Sequence, residues 1–127
     1  MTTTPIPPAN PDQPDLNWAE FCRQIPGIEV IQDATQVAKM SQDYYTFSPI
    51  LQPLLADKVG DLVVRPSTEA ELIQVVQACV QQQIPITVRG AGTGNYGQCV
   101  PLAGGVILDM SRFNQICWAK PGLLRVE

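Results

Sequence analysis

Four of the eight residues from Gly90 to Gly97 are glycine, and an arginine joins them to a strand-like run, Ile84 to Val88. The segment reads Val88-Arg89-Gly90-Ala91-Gly92-Thr93-Gly94-Asn95-Tyr96-Gly97. A backbone so poor in Cβ atoms can take positive φ and turn several N–H groups towards one point. Plain turns need only one or two glycines. The fold thus delivers the end of a strand into a loop whose backbone something can approach closely. Convergent N–H groups beside an arginine suit a phosphate or pyrophosphate, with a ligand-free glycine turn as the other reading of the residues.

Familiar glycine motifs do not fit. Gly92 to Gly97 spells the GxGxxG string of dinucleotide-binding folds, but that fingerprint needs a helix to begin among the glycines. Here Gln98-Cys99-Val100-Pro101-Leu102-Ala103-Gly104-Gly105 follows, with a proline, two more glycines and no helical apolar spacing. An acid about 20 residues on, expected for ribose hydroxyls, is also missing. A P-loop needs Gly-Lys-Ser/Thr, and no lysine lies between Lys58 and Lys120. A kinase loop wants valine where Cys99 stands.

The flanking sequence predicts a βαβ unit. Leu62-Val63-Val64 is a short buried strand ended by Arg65-Pro66. Thr68 and Glu71 stand at capping-box spacing, with acids in the first helical turn. Leu72, Val75, Val76, Cys79 and Val80 make one apolar face, and Gln81-Gln82-Gln83 closes the helix before Pro85. Ile84 to Val88 returns as a strand parallel to the first. Val106-Ile107-Leu108 is a further strand. Ile116 to Ala119 and Leu123 to Val126 pair as a hairpin across Lys120-Pro121-Gly122. The expected fold class is α+β: a βαβ unit in a small mixed sheet, with a terminal hairpin.

With that framework in view, Val64-Arg65-Pro66-Ser67-Thr68-Glu69, then Ile84 through Gly94, then Gly105-Val106-Ile107-Leu108-Asp109-Met110-Ser111-Arg112-Phe113 resembles the FAD-linked oxidases. This is the flavoprotein superfamily of p-cresol methylhydroxylase and vanillyl-alcohol oxidase. The Arg-Gly-Ala-Gly-Thr-Gly core is most similar to its glycolate oxidase subunit and D-lactate dehydrogenase branch. The resemblance runs from about Ser41 to Glu127. It implies the first half of a PCMH-type FAD-binding domain, in which Arg89, Gly90, Ala91, Gly92, Thr93 and Gly94 match the pyrophosphate loop. Gly97 matches the glycine that ends the loop, and Asn95 lies inside it. Asn95, Tyr96 and Gln98 depart from the small residues common there. Thr93 is expected to offer a hydroxyl to phosphate. Arg89 supplies charge on this reading, and a structural salt bridge on the alternative one. Tyr96 packs on flavin or on protein; the residues leave both open.

Some members hold FAD through a histidine, and this chain has none. Cys99 reads as a small buried thiol, so non-covalent FAD is expected. The four cysteines, at 22, 79, 99 and 117, have no metal-site spacing, and reduced thiols in a cytoplasmic protein are the default expectation. A net charge of −4 without a basic cluster argues against nucleic acid. No apolar run reaches the length of a membrane span.

Residues 1–16 form a Pro-rich tail expected to be disordered, with no secretory h-region. Residues 17–58 form a helical and extended lead-in. Residues 59–127 form the N-terminal subdomain of the FAD-binding domain. In the lead-in, Asn17 to Gln24 reads as a capped helix burying Trp18, Phe21 and Cys22, and Ile28 to Ile31 as extended. Lys39 to Asp43 resembles the family's approach to the FAD domain. Tyr44 and Tyr45 then read as packing.

The final run, Leu123 to Glu127, is strand-like without cap or polar tail, and the resemblance implies a longer chain beyond it. Two functions follow from the family. One is the N-terminal part of an FAD-dependent oxidoreductase acting on a hydroxy acid or alcohol. The other is a non-catalytic FAD-binding module or remnant that needs a partner chain. A plain α/β interaction domain is a third possibility. Asp43, Asp109 and Glu127 are the acids nearest the motifs, and each reads as solvated or capping. No catalytic residue is nominated.

Overall fold

The computed structural model describes residues 16–127. Nearly all of the Pro-rich tail thus lies outside the described residues, while Leu16 packs, partly buried, against the core. The elements are α1 (Trp18–Gln24), β1 (Glu29–Ile31), α2 (Ala34–Met40), a 3-10 turn (Tyr44–Phe47), α3 (Leu51–Leu55), β2 (Leu62–Arg65), α4 (Glu69–Gln81), β3 (Ile86–Arg89), β4 (Val106–Asp109), β5 (Ile116–Lys120) and β6 (Leu123–Val126).

β1 to β4 form one sheet in the order β1-β2-β4-β3. β1 is antiparallel to β2, whereas β2 and β3 both run parallel to β4. The predicted βαβ crossover is therefore present, but β4 occupies the slot between its two strands. Composition explains that placement. Val106, Ile107 and Leu108 are apolar on both faces, as are Leu62, Val63 and Val64, so these two strands take the positions buried on both sides. β3 has a polar Thr87 and an exposed Val88, and takes the edge.

The two-residue side-chain period divides the core. Leu62, Val64, Val106 and Leu108 face α1 and α4, packing with Phe21, Ile25, Val75, Ala78 and Cys79. Val63 and Ile107 face the other way, onto Val37 of α2, with Ile31, Met40 and Val59 around them. Fully burying side chains of this size is worth roughly 1.5–3 kcal/mol each.

Helix caps follow the sequence. Asn17 Oδ1 accepts from Glu20 N at 3.0 Å, and Trp18 meets the Phe21 ring edge-on at 5.8 Å between centroids. Thr68 Oγ1 accepts from Glu71 N at 3.2 Å, while the Glu71 carboxylate accepts from Ser67 N. The apolar face of α4 departs from expectation at one end. Ala78 is buried with Val75 and Cys79, and Val80 is 68% exposed. The helix turns its small residue, not Val80, towards the sheet. Its C-terminus closes with Ile84 N donating to Cys79 O at 2.8 Å, and Gln83 adopts φ +55. Proline at 85 then delays β3 to Ile86, and the Pro85 carbonyl accepts from Val106 N.

β5 and β6 form a separate antiparallel hairpin. Pro121 and Gly122 make its corner, with Gly122 at φ +76. Every residue of both strands is exposed.

Candidate functional site

The parallel strands β2, β3 and β4 all end on the same side, and the glycine segment leaves the sheet there from β3. Open α/β sheets bind ligands at this carboxyl end. Arg89 is the last residue of β3, and its carbonyl accepts from Met110 N at 2.8 Å, which fixes the start of the loop against the end of β4. Gly92 and Gly97 take φ +69 and +80. Side-chained residues avoid that region, so both glycines are required by conformation.

The loop is held from beneath by the lead-in segment. Arg89 Nη1 donates to Met40 O at 2.9 Å and to Gln42 O at 2.6 Å, and lies 3.4 Å from Cys99 Sγ. Among the described residues no carboxylate lies within ion-pair distance of Arg89, so the salt-bridge reading is not what the structure shows. The guanidinium sits against Gly92, where a Cβ would fall inside it. Tyr44 N donates to Gly94 O at 2.9 Å. Asp43 Oδ2 accepts from Gly97 N at 2.9 Å, and its Oδ1 accepts from Tyr45 N at 2.8 Å, capping the 3-10 turn.

What the loop leaves open is as informative. Among the described residues, none of the backbone N–H groups from Gly90 to Asn95 donates a hydrogen bond. Ala91, Thr93 and Asn95 are exposed, and Gly90 has nothing within 4 Å of its Cβ position. Tyr96 N and Gly97 N are already committed, to Gln98 Oε1 and Asp43 respectively. The Tyr96 ring stands in solvent, 75% exposed. The expected loop residues are thus contiguous and at least part-exposed, with the Arg89 guanidinium, which has no ion-pair partner among the described residues, and the Asp43 carboxylate both against the loop. Undonated backbone N–H groups in a run suit an anion, and the residues fit a pyrophosphate.

Cys99 is buried behind the loop; burial pushes its thiol up, against a lowering by Arg89. That agrees with a packing role. The tyrosine pair divides. Tyr45 is buried, with its hydroxyl donating to Leu55 O at 3.3 Å, whereas Tyr44 is half-exposed with its ring 5.9 Å from that of Phe47. Asp43 caps the 3-10 turn, one of the two roles expected of it. It is buried, not solvated, and its partner lies 54 positions along the chain. Its only local signal is its place before the aromatic pair. Asp109 is also buried, and its carboxylate accepts from Arg65 and Ser111 N. Glu127 is exposed on the hairpin, where its carboxylate accepts from Gln115 N.

Known proteins supply the remaining context. The glycolate oxidase subunit GlcD of Escherichia coli (strain K12) is 29% identical over 100 residues, covering 76% of this chain and 18% of that protein. A D-lactate dehydrogenase of Archaeoglobus fulgidus is 30% identical over 76 residues, covering 58% of this chain and 17% of that protein. The chain therefore spans under a fifth of the length of these relatives. Among solved structures, an alkyldihydroxyacetonephosphate synthase superposes with a TM-score of 0.68 at 19% identity, covering 94% of this chain and 24% of that one. p-Cresol methylhydroxylase with substrate bound gives 0.61 at 20% identity, covering 81% of this chain and 19% of that one. These two show the fold. No described helix is long and apolar enough to cross a membrane. The family model described as FAD binding domain matches residues 60–127, which include the whole glycine loop and every strand from β2 onward. The chain belongs to the FAD binding domain family, with FAD as its cofactor.

Proposed function

We propose that residues 89–97 hold the pyrophosphate of FAD, non-covalently, through the backbone N–H groups of Gly90, Ala91, Gly92, Thr93, Gly94 and Asn95. Thr93 adds a hydroxyl, Arg89 supplies positive charge from beneath, and Gly97 shapes the end of the loop. The observation that carries this reading is the run of undonated N–H groups from Gly90 to Asn95 on a loop fixed at both ends. These six donors have no acceptor within the described residues. An anion with several acceptor oxygens gives them one.

On this reading the chain is the N-terminal part of an FAD-dependent oxidoreductase that acts on a hydroxy acid or alcohol. The relatives named for glycolate and D-lactate support that substrate class. When bound, FAD supplies the hydride acceptor; this segment binds, orients and charges the loop. No described carboxylate stands free over the loop as a base, because Asp43 and Asp109 are buried in hydrogen bonds of their own. The complementary reading is a binding module that acquires turnover only with further protein, and the same loop serves it.

The test is a titration of the flavin-free chain with FAD, followed by flavin fluorescence, with FMN as control. Saturable FAD binding, weaker FMN binding and loss in Gly92→Val are expected. Arg89→Ala should weaken binding too. A demonstrably folded chain that takes up neither flavin would overturn the assignment of the loop.

A further inference from the structure

We infer that Asp43 is a positioning residue for the cofactor loop, setting its anion-receiving shape before any ligand arrives. The inference rests on reading the loop as the pyrophosphate site. A carboxylate beside such a site is an unexpected neighbour, since it repels the ligand. Its geometry shows why the chain tolerates it. Asp43 is 7% exposed and lies beneath the loop, and both oxygens are engaged by backbone donors, Oδ1 by Tyr45 N and Oδ2 by Gly97 N. Charge-assisted bonds of this kind are about twice as strong as neutral ones.

The loop is thereby fixed at successive points. A Cβ at Gly94 would stand 3.0 Å from Asp43 Oδ2, so the chain passes directly over the carboxylate there. Gly94 O accepts from Tyr44 N, the residue following Asp43. At Gly97 a Cβ would stand 2.6 Å from Leu55 Cδ1, so α3 closes the far side. Arg89 completes the arrangement by donating to Met40 O and Gln42 O. The segment 40–45 and the loop are two halves of one device. Asp43 takes up the Gly97 N–H, and those from Gly90 to Asn95 stay without an acceptor in the chain. Without Asp43 the Gly97 N–H would be released as well, and the ligand itself would have to order the loop, at a cost in affinity.

The experiment compares the 127-residue chain with Asp43→Asn, using Asp33→Asn as control. Asp33 caps α2 through Gln36 N at 2.9 Å, remote from the loop in its hydrogen bonding, and undergoes the same chemical change. Backbone hydrogen exchange is measured without flavin, then FAD affinity and Tm. In the wild type, the Gly97 amide should be protected without flavin while Gly90 to Asn95 exchange freely. Asp43→Asn should lose the Gly97 protection and weaken FAD binding by on the order of tenfold, with a folded far-UV spectrum. Asp33→Asn should do neither. An unprotected Gly97 in the wild type overturns the inference, even where Asp43→Asn does not fold. So does a variant that loses Gly97 protection yet keeps full FAD affinity. A wild type with Gly97 protected that nevertheless binds no FAD would overturn the cofactor reading and leave the tether standing.

Discussion

Arg65 Nε lies 2.6 Å from Asp109 Oδ2, joining the last residue of β2 to the last residue of β4. Arg65 Nη1 also reaches Glu29 Oε1 at 3.0 Å, and Glu29 in turn pairs with Arg112, whose Nη1 donates to Ser67 Oγ. The ends of three neighbouring strands are thus tied together, at the side of the sheet from which the glycine loop leaves. Burial alone would push the Asp109 carboxyl up, but the Arg65 hydrogen bond, the Ser111 donors and the charge of Arg65 outweigh it and hold it below the usual carboxylate range.

A carboxylate whose native pKa is depressed contributes stability above its unfolded pKa, near 4, and loses it as pH falls through the lower native value. Asp109→Asn should cost about 2 kcal/mol at pH 7, since it removes a charge-assisted hydrogen bond to Arg65 while leaving Glu29 as that arginine's partner. The gap between variant and wild type should begin to narrow as pH falls below about 4 and close once pH passes the lower native value. Urea unfolding at several pH values measures that gap. Asp61 works in the opposite direction, because burial raises its carboxyl despite the Gly105 N–H. Comparing variant with wild type removes that background. A gap that stays constant down to pH 3 would show that the pair's charge contributes nothing.

Two glycines near the site should respond very unequally to substitution. Gly105 has φ +79, and a Cβ there would run into the Pro85 carbonyl, a backbone group that cannot rotate away. Gly105 N also donates to Asp61 Oδ2 at 2.6 Å, and Asp61 N to Gly105 O at 2.8 Å, so the turn cannot easily shift. Gly105→Ala should therefore lower the Tm severely or prevent folding. Gly90→Ala meets open space at an ordinary φ, and thermal unfolding should change by less than about 0.5 kcal/mol. Equal Tm losses for the two would contradict the packing at Gly105.

Gln83 offers a stabilising change. It holds φ +55 at the position after the last residue of the α4 cap, where glycine is the usual occupant. The left-handed conformation costs a side-chained residue on the order of 1 kcal/mol. Gln83→Gly should raise stability by up to about 1 kcal/mol, less whatever the unfolded chain gains in freedom. Denaturant midpoints read this directly. A loss of stability would mean that the Gln83 side chain contributes more than its backbone costs.

The sequence displays some of this architecture and conceals the rest for physical reasons. β2 and β4 are legible because strands buried on both faces are unbroken apolar runs. α4 is legible because Thr68, Glu71 and a 3.6-residue period agree, and the hairpin because Pro121-Gly122 marks its corner. α2 escapes notice since only Val37 of its seven residues is buried, which leaves no periodic stripe to read. The strand order is hidden as well, because βαβ spacing fixes direction but not which strand fills the gap. At the site, the glycines announce the loop, yet nothing near Arg89 tells whether its guanidinium faces a ligand or folds back on Met40 and Gln42. Asp43 is hidden by distance along the chain, since its meaning appears only when Gly97 is brought beside it.

The β5–β6 hairpin makes the last prediction. Ile116, Leu123, Leu124 and Val126 are more than half exposed, and Trp118 is 39% exposed with Lys120 Nζ 5.2 Å from its ring centroid. The hairpin is held by its own ladder and by Gln115 with Glu127 at its open end. An apolar two-stranded ribbon with free edges is a template for pairing with another chain. The 127-residue chain should therefore self-associate in a concentration-dependent way by sedimentation velocity. Replacing Leu123 with Thr and Leu124 with Lys should suppress that association. Because neither side chain is buried, the Tm of the doubly substituted chain should stay close to that of the wild type. A large loss of Tm would show the hairpin packed on the sheet, and unchanged association would place the sticky surface elsewhere.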